Sequence, residues 1–279
     1  MKTSSGTQPL VSRVVLGILD GLRPDAIAVA PMPVLAQLAR EGWFCTATTV
    51  RPSITVAALT SLATGISPTA HSLTQPRVPP LGVLAKLRPL PAELKRHRRR
   101  TLVVTGQLPQ KGRLLARGLL GLAGVERFAS GGESPAEIAE HASRTLGQRS
   151  ANLCAVYFNH CDLAGHAHGW MSEPYLAAAA ALDRGVAKLI ESLDDGQTLF
   201  AFVADHGGGG VAANDHDAPH PVNDAIPLVF FGAGVSGTAA AASLLDVPPT
   251  LLHALGVPVP ACYEGRVLAL TSELAAAAA

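Results

Sequence analysis

The chain has 279 residues, 48% of them hydrophobic and only 4% aromatic, so it can bury one large core built mainly from aliphatic side chains and alanine. Lys plus Arg is 22 and Asp plus Glu is 21, a balance that argues against a dedicated binder of nucleic acid or membrane surfaces. No apolar run reaches the roughly 18 residues of a membrane span, and Met1–Ser12 lacks the apolar segment of a signal peptide, so a cytoplasmic protein is expected.

In chain order, strands are expected at Val14–Leu19, Thr101–Thr105, Leu153–Phe158, Thr198–Ala204 and Pro227–Phe231. Helices are expected at Val34–Glu41, Val56–Thr64, Ala136–Leu146, Pro174–Leu193 and Pro248–Leu255. This alternation predicts a single α/β domain with a mostly parallel central sheet and helices on both faces. Residues 1–12 and 273–279 read as a flexible start and a frayed end. Thr74–Pro91 is proline-rich and reads as a loop with a poor helix start, and Gln107–Phe128 also reads as a loop. The run KRHRRR at Lys95–Arg100 reads as the solvated end of a helix. The four cysteines fit no zinc-binding spacing and read as core or incidental thiols.

The chemistry gathers after the strands. Asp20 follows VVLGIL, Asp162 and His166 follow LCAVYF, and Asp205–His206 follow TLFAFVA. In open α/β sheets ligands bind beyond the carboxyl ends of the strands, so three segments would deliver acids and imidazoles to one edge. A lone Asp there is more often a turn or cap residue. Asp205–His206 followed by four glycines is stronger, because glycine lets the backbone turn sharply beside a ligand. Asp162 and His166, four apart, meet one ion if the segment makes a helical turn. Asp and His without thiolate suit Zn²⁺ or Mn²⁺, and two such ions can hold the attacking and leaving oxygens of an in-line displacement at phosphorus. Thr55, in RPSITVAALTSLATG, is the candidate nucleophile: the first turn of a helix offers unpaired N–H groups and the positive end of the dipole. The plain alternative is that Thr55 caps its helix.

These segments resemble the alkaline phosphatase superfamily, and most its type I phosphodiesterase/nucleotide pyrophosphatase branch. LGILDGLRPDAI resembles the first metal-binding strand of that family. RPSITVAALTSLATGISPTAHSL resembles its nucleophile segment, YFNHCDLAGHAHG its D-x-x-G-H-x-x-G pattern, FVADHGGGG its strand-D-H-G motif, and LLDVPPTLLHALGVPVPACYEGRVL its C-terminal segment. The resemblance implies that Asp20, Thr55, Asp205 and His206 hold one divalent metal and that Asp162, His166 and His220 hold the other. His220 fits the family's spacing before the final strand better than His216. Asn159, His168 and His216 are left as candidate substrate contacts. The resemblance implies a metal-dependent hydrolase of phosphoric esters, chiefly phosphodiesters, working through a phospho-threonine at Thr55 on a small-molecule substrate. Zinc is the expected metal and manganese the alternative. A phosphomonoesterase or a C–P hydrolase would use the same site; a phosphomutase or an inactive homologue is a weaker alternative. Two departures stand out. Ala58 replaces the asparagine that the diesterase branch carries three residues after the nucleophile, and the short intervals between motifs leave no room for a large cap.

Overall fold

The computed structural model describes residues 8–75, 87–236 and 241–270. Seven strands form one sheet: β1 (Arg13–Leu19), β2 (Trp43–Thr48), β3 (Thr101–Thr105), β4 (Arg127–Ser130), β5 (Leu153–Phe158), β6 (Thr198–Val203) and β7 (Ala225–Gly232). Their order is β2-β7-β6-β1-β5-β3-β4. From β6 to β4 all pairings are parallel, and only β7 runs against its neighbours β6 and β2. The single-sheet α/β architecture expected from the alternation is therefore what forms.

The central strands are apolar on both faces: β6 (TLFAFV) is buried at every residue and β5 (LCAVYF) at all but Tyr157. That continuous burial is the mark of a sheet covered on both sides by helices. The helix Glu173–Leu193 packs on Pro135–Gln148 and Pro33–Glu41; Thr55–Thr64 packs with Val247–Ala254 and Leu90–Arg96. One contact joins helices by capping. The Asp183 carboxylate, from the middle of the longest helix, accepts from Val34 N at 3.0 Å and Leu35 N at 2.7 Å, satisfying first-turn donors of Pro33–Glu41.

Several expectations change. Residues 10–12 are tethered rather than flexible: Leu10 N and Val11 N donate to Ala254 O, Ser12 N donates to Gln197 O, and Val11 is buried. The frayed end at 273–279 lies outside the described residues, as does most of the Thr74–Pro91 loop. Gln110–Leu122, expected as a loop, is a helix with no buried residue. Leu90–Arg96 is a helix whose basic end is the charge run, as expected. Two strands escaped notice, β2 and the four-residue edge strand β4. Among the described residues no helix is long and apolar enough to cross a membrane.

Candidate metal centre and nucleophile

β1 lies between β5 and β6, so the carboxyl ends of these three strands meet at one place. Asp20 leaves β1, the helix His160–His168 follows β5, and Asp205–His206 leave β6. Gly21, at φ +71°, sets the close approach: a Cβ there would stand 2.8 Å from Asp162 Cα. Backbone bonds lock the approach, with Asp162 N donating to Asp20 O and Gly21 N donating to Asp205 Oδ1 at 3.2 Å.

Two acid–imidazole groups result, sharing His206. Asp20, Asp205 and His206 form the first, and all three are buried. Asp162, His206 and His216 form the second. Three carboxylate oxygens in these groups (Asp20 Oδ1, Asp162 Oδ1 and Asp205 Oδ2) are buried with no hydrogen-bond partner. A buried unpartnered polar atom costs about 1–3 kcal/mol, and more when it is charged.

The imidazoles supply no proton to them. His206 Nδ1–H donates to Gly207 O at 2.8 Å, His216 Nδ1–H to Ser53 O at 2.9 Å and His166 Nδ1–H to Asn214 O at 3.1 Å. A carbonyl can only accept, so in each neutral ring Nε2 carries the lone pair. Those lone pairs face the acids: His206 Nε2 is 3.3 Å from Asp20 Oδ1, and His166 and His216 Nε2 are 3.4 and 3.7 Å from Asp162 Oδ1. Lone pairs turned on carboxylates, each ring fixed from behind by a carbonyl, could serve as the donor set and outer support of a divalent cation. Asp/His donors without thiolate suit zinc or a similar ion.

The electrostatics agree. Burial, then the neighbouring Asp205 charge, holds the Asp20 carboxyl well above the usual range, and burial raises Asp205 to about 6. Burial, with His206 adding to it, lowers His216. Negative charge is therefore disfavoured at the acids unless a cation joins them, while His216 is biased toward its neutral, ligating form.

Thr55 is the first residue of its helix, and its Oγ1 lies 3.0 Å from His206 Nε2. It does not cap the helix: Ile54 holds that position and no side chain caps it. Because His206 Nδ1 holds the ring proton, the Thr55 hydroxyl is the donor in that contact. Thr55 and His216 both line a cavity of about 740 Å³ that runs along the exposed face of the helix over Val56, Leu59 and Ala63 to Leu119 and Leu122. Ala58 is fully buried, so this helix presents nothing to the cavity at the position where an asparagine was expected.

The other expected site residues separate. His220 lies outside both groups. Its Nδ1 accepts from Val222 N at 3.3 Å, capping the short helix Pro221–Asp224, and its ring lies against Gly210. His216 takes the place expected of it, its ring stacked on His206 with centroids 3.8 Å apart. His166 is half exposed and joins only at the margin of Asp162. Asn159 lines a different cavity, with Gly106 and Gly132. His168 is exposed at the end of its helix. Tyr157, unnoticed in the sequence, donates its hydroxyl to Asp20 Oδ2. It stands in β5 opposite Ile18, two residues before Asp20, and that cross-strand register was the only available signal.

The chain belongs to the type I phosphodiesterase/nucleotide pyrophosphatase family, whose sequence profile matches residues 14–78 and 103–240. It is similar to the 2,3-bisphosphoglycerate-independent phosphoglycerate mutase of Salinibacter ruber, 32% identical over 146 residues, or 52% of this chain and 27% of that one. It is also similar to GPI ethanolamine phosphate transferase 1 of Candida glabrata, 33% identical over 93 residues, or 32% of this chain and 10% of that one. The matched stretch is thus about a quarter of the mutase and a tenth of the transferase. Among solved structures, the fold is similar to an alkaline phosphatase superfamily protein from Vibrio parahaemolyticus (TM-score 0.65, 18% identity, covering 94% of this chain and 70% of that one). It is similar as well to the lipoteichoic acid synthase LtaP from Listeria monocytogenes (TM-score 0.66, 14% identity, 96% and 76%). The family match and the shared fold agree with the resemblance carried by the sequence motifs.

Proposed function

We propose that the protein hydrolyses phosphodiesters, with Thr55 as the nucleophile. The observation that carries this reading is the Thr55 hydroxyl, 3.0 Å from His206 Nε2 and beside unpartnered carboxylate oxygens. Asp20, Asp205, His206 and Thr55 would hold one divalent ion, and Asp162 with His216 the other, His166 closing the second set. Bound there, the ions would lower the pKa of the hydroxyl and offset charge on the phosphoryl oxygens. Thr55 Oγ, its proton released to solvent water, attacks phosphorus, the P–O bond to one ester group breaks, and that group takes a proton from solvent water and leaves as an alcohol. Water then cleaves the phospho-threonine and restores the hydroxyl. His206 and His216, tied by their Nδ1–H groups to backbone carbonyls, keep their positions throughout.

A diester suits the charge of the site. The two arginines nearest the motifs are engaged elsewhere: Arg51 pairs with Asp224, and Arg23 pairs with Asp25 and donates to Gly208 O at 3.1 Å. The cavity beside Thr55 is lined by no Lys or Arg among the described residues. A monoester dianion would lack cationic side chains there, whereas an uncharged apolar ester group can lie along Leu59, Leu119 and Leu122. Zinc is the metal proposed, with manganese as the alternative. Four free thiols, Cys262 among them exposed, suit a reducing cytoplasm.

The test compares kcat/KM for bis-p-nitrophenyl phosphate and p-nitrophenyl phosphate at one pH and zinc concentration. We expect the diester to be preferred. A monoester advantage of tenfold or more, about 1.4 kcal/mol in the transition state, would overturn the diesterase reading.

A further inference from the structure

A third cavity, of about 730 Å³, lies at the opposite edge of the sheet, where β3 and β4 begin and the chain enters β5. Arg100, Arg117, Arg127 and Arg149 all line it, against a single carboxylate, Glu126. Arg100 ends the basic run at Lys95–Arg100, which the catalytic site does not use. Arg13, Arg23, Arg51, Arg88 and Arg96 each pair with a carboxylate, but none of these four arginines does so among the described residues.

Two buried polar atoms of the same lining have no hydrogen-bond partner: Arg127 Nη1 and Thr101 Oγ1. Thr101 is 2% exposed, so water does not satisfy it from the surface. Unpaired guanidinium groups around one hollow repel one another, and a buried N–H without an acceptor is costly. An oxyanion removes both penalties, since guanidinium forks match phosphoryl oxygens in pairs. The cavity exceeds the volume of a single phosphate but is too small for a folded partner, and the arginines converge on one hollow rather than forming a stripe along which a nucleic-acid backbone would lie.

We propose that this cavity binds a small ligand through a diphosphate group, free or carried on a nucleoside, with Arg127 and Thr101 at its floor and Arg100, Arg117 and Arg149 at its rim. The site is separate from Thr55 and does not depend on the reaction assigned to it. Calorimetric titration of the zinc-loaded protein with methylenediphosphonate, at fixed free zinc and ionic strength, tests it. The wild type should bind one equivalent that Arg127→Gln binds at least tenfold more weakly, and Thr101→Val should weaken it by a smaller factor. Arg149→Gln alters an exposed side chain and keeps the test open if Arg127→Gln fails to fold; it should weaken binding severalfold. Turnover of bis-p-nitrophenyl phosphate in the absence of the ligand should be unchanged in Arg149→Gln. An α,β-methylene ADP arm separates the two sources of the group: tighter binding than the diphosphonate assigns the nucleotide, and equal binding the free anion. Isotherms identical in the wild type, Arg127→Gln and Arg149→Gln would overturn the proposal, as would displacement of the diphosphonate by a single-stranded oligonucleotide at lower phosphate concentration.

Discussion

The two acid–imidazole groups differ in how the chain holds them. Asp20, Asp205 and His206 sit directly on the ends of neighbouring central strands and are buried, so sheet register alone fixes their spacing. Asp162 stands on a helix, His166 is half exposed on the same helix, and His216 arrives from a loop that crosses back from β6. The first group is rigid by construction, whereas the second is assembled from parts that must find one another. This contrast predicts different metal affinities, different sensitivity to mutation and different legibility in the sequence.

The largest effect should come from the rigid group. Thr55→Ala should reduce turnover by on the order of 10³-fold or more, since removing a nucleophile removes the covalent route. Its fold should survive, because Thr55 caps nothing. Turnover at the wild-type rate in Thr55→Ala would remove Thr55 from the mechanism. Thr55→Ser should keep part of the activity.

Chelation should abolish activity in two phases. Elemental analysis of the loaded protein should approach two equivalents, and with EDTA the second group, flanked by the half-exposed His166, should empty before the fully buried first. A chain that stays fully active without metal would break the comparison at its root. His216→Ala should then lose one equivalent, while His220→Ala keeps both and loses only about 1 kcal/mol of stability as a helix cap. The opposite pattern in metal content would return the ligand role to His220.

The smallest effect is on the pH dependence of stability. The folded-state pKa of Asp205 lies at about 6, above its unfolded value, so the metal-free fold holds an extra proton there and loses stability as pH rises from about 4 to about 6; Asp20, also raised, acts in the same direction. For Asp205 alone the shift corresponds to roughly 3 kcal/mol at 1.36 kcal/mol per unit. Zinc reverses that loss, so the gain in Tm on adding zinc should grow across this window. His216 works from the other side. Its lowered value means that stability is lost as pH falls below about 6.5, where the unfolded chain takes up the proton. A zinc-induced Tm gain that is flat from pH 4 to 7 would contradict the assignment of the buried acids.

The same contrast explains what could be read from the sequence. Asp20, Asp205 and His206 were legible because an apolar strand followed by an acid places that acid at the sheet edge whatever the rest of the chain does. Asp162 was legible through its pattern. His216 was not, because the family spacing favoured His220, and no local rule fixes which of two histidines a crossing loop turns inward. The inward turn depends on Ser53 O receiving the Nδ1–H, a contact 163 residues away in sequence. Of the fold, the apolar strands and the helices between them were evident. The helix Gln110–Leu122 was not, because Gly112, Gly118 and Gly121 weaken its propensity and it buries no residue. β4 was too short to show alternation, and β2, with its alternating burial, was hidden behind Gly42 directly after a helix.

Trp170 has a consequence of a different kind. Its indole Nε1 donates to Gly21 O at 2.9 Å, and added Cβ atoms at Gly165 and Gly208 would stand 2.5 and 2.1 Å from its ring. Gly208, among the four glycines expected to let the backbone turn beside a ligand, and Gly165 make way for this side chain, which touches the segments carrying Asp20, His166 and Asp205–His206. Its ring centre is 5.1 Å from that of His166 and 5.6 Å from that of His216. The chain has only two tryptophans, and the other, Trp43, lies in β2 at the sheet's far edge. A Trp43→Phe chain would therefore carry one tryptophan, selected over tyrosine by excitation near the red edge of the aromatic band and wedged against the second group of donors. Its emission would follow the filling of that group during a zinc titration, without a substrate and without a label.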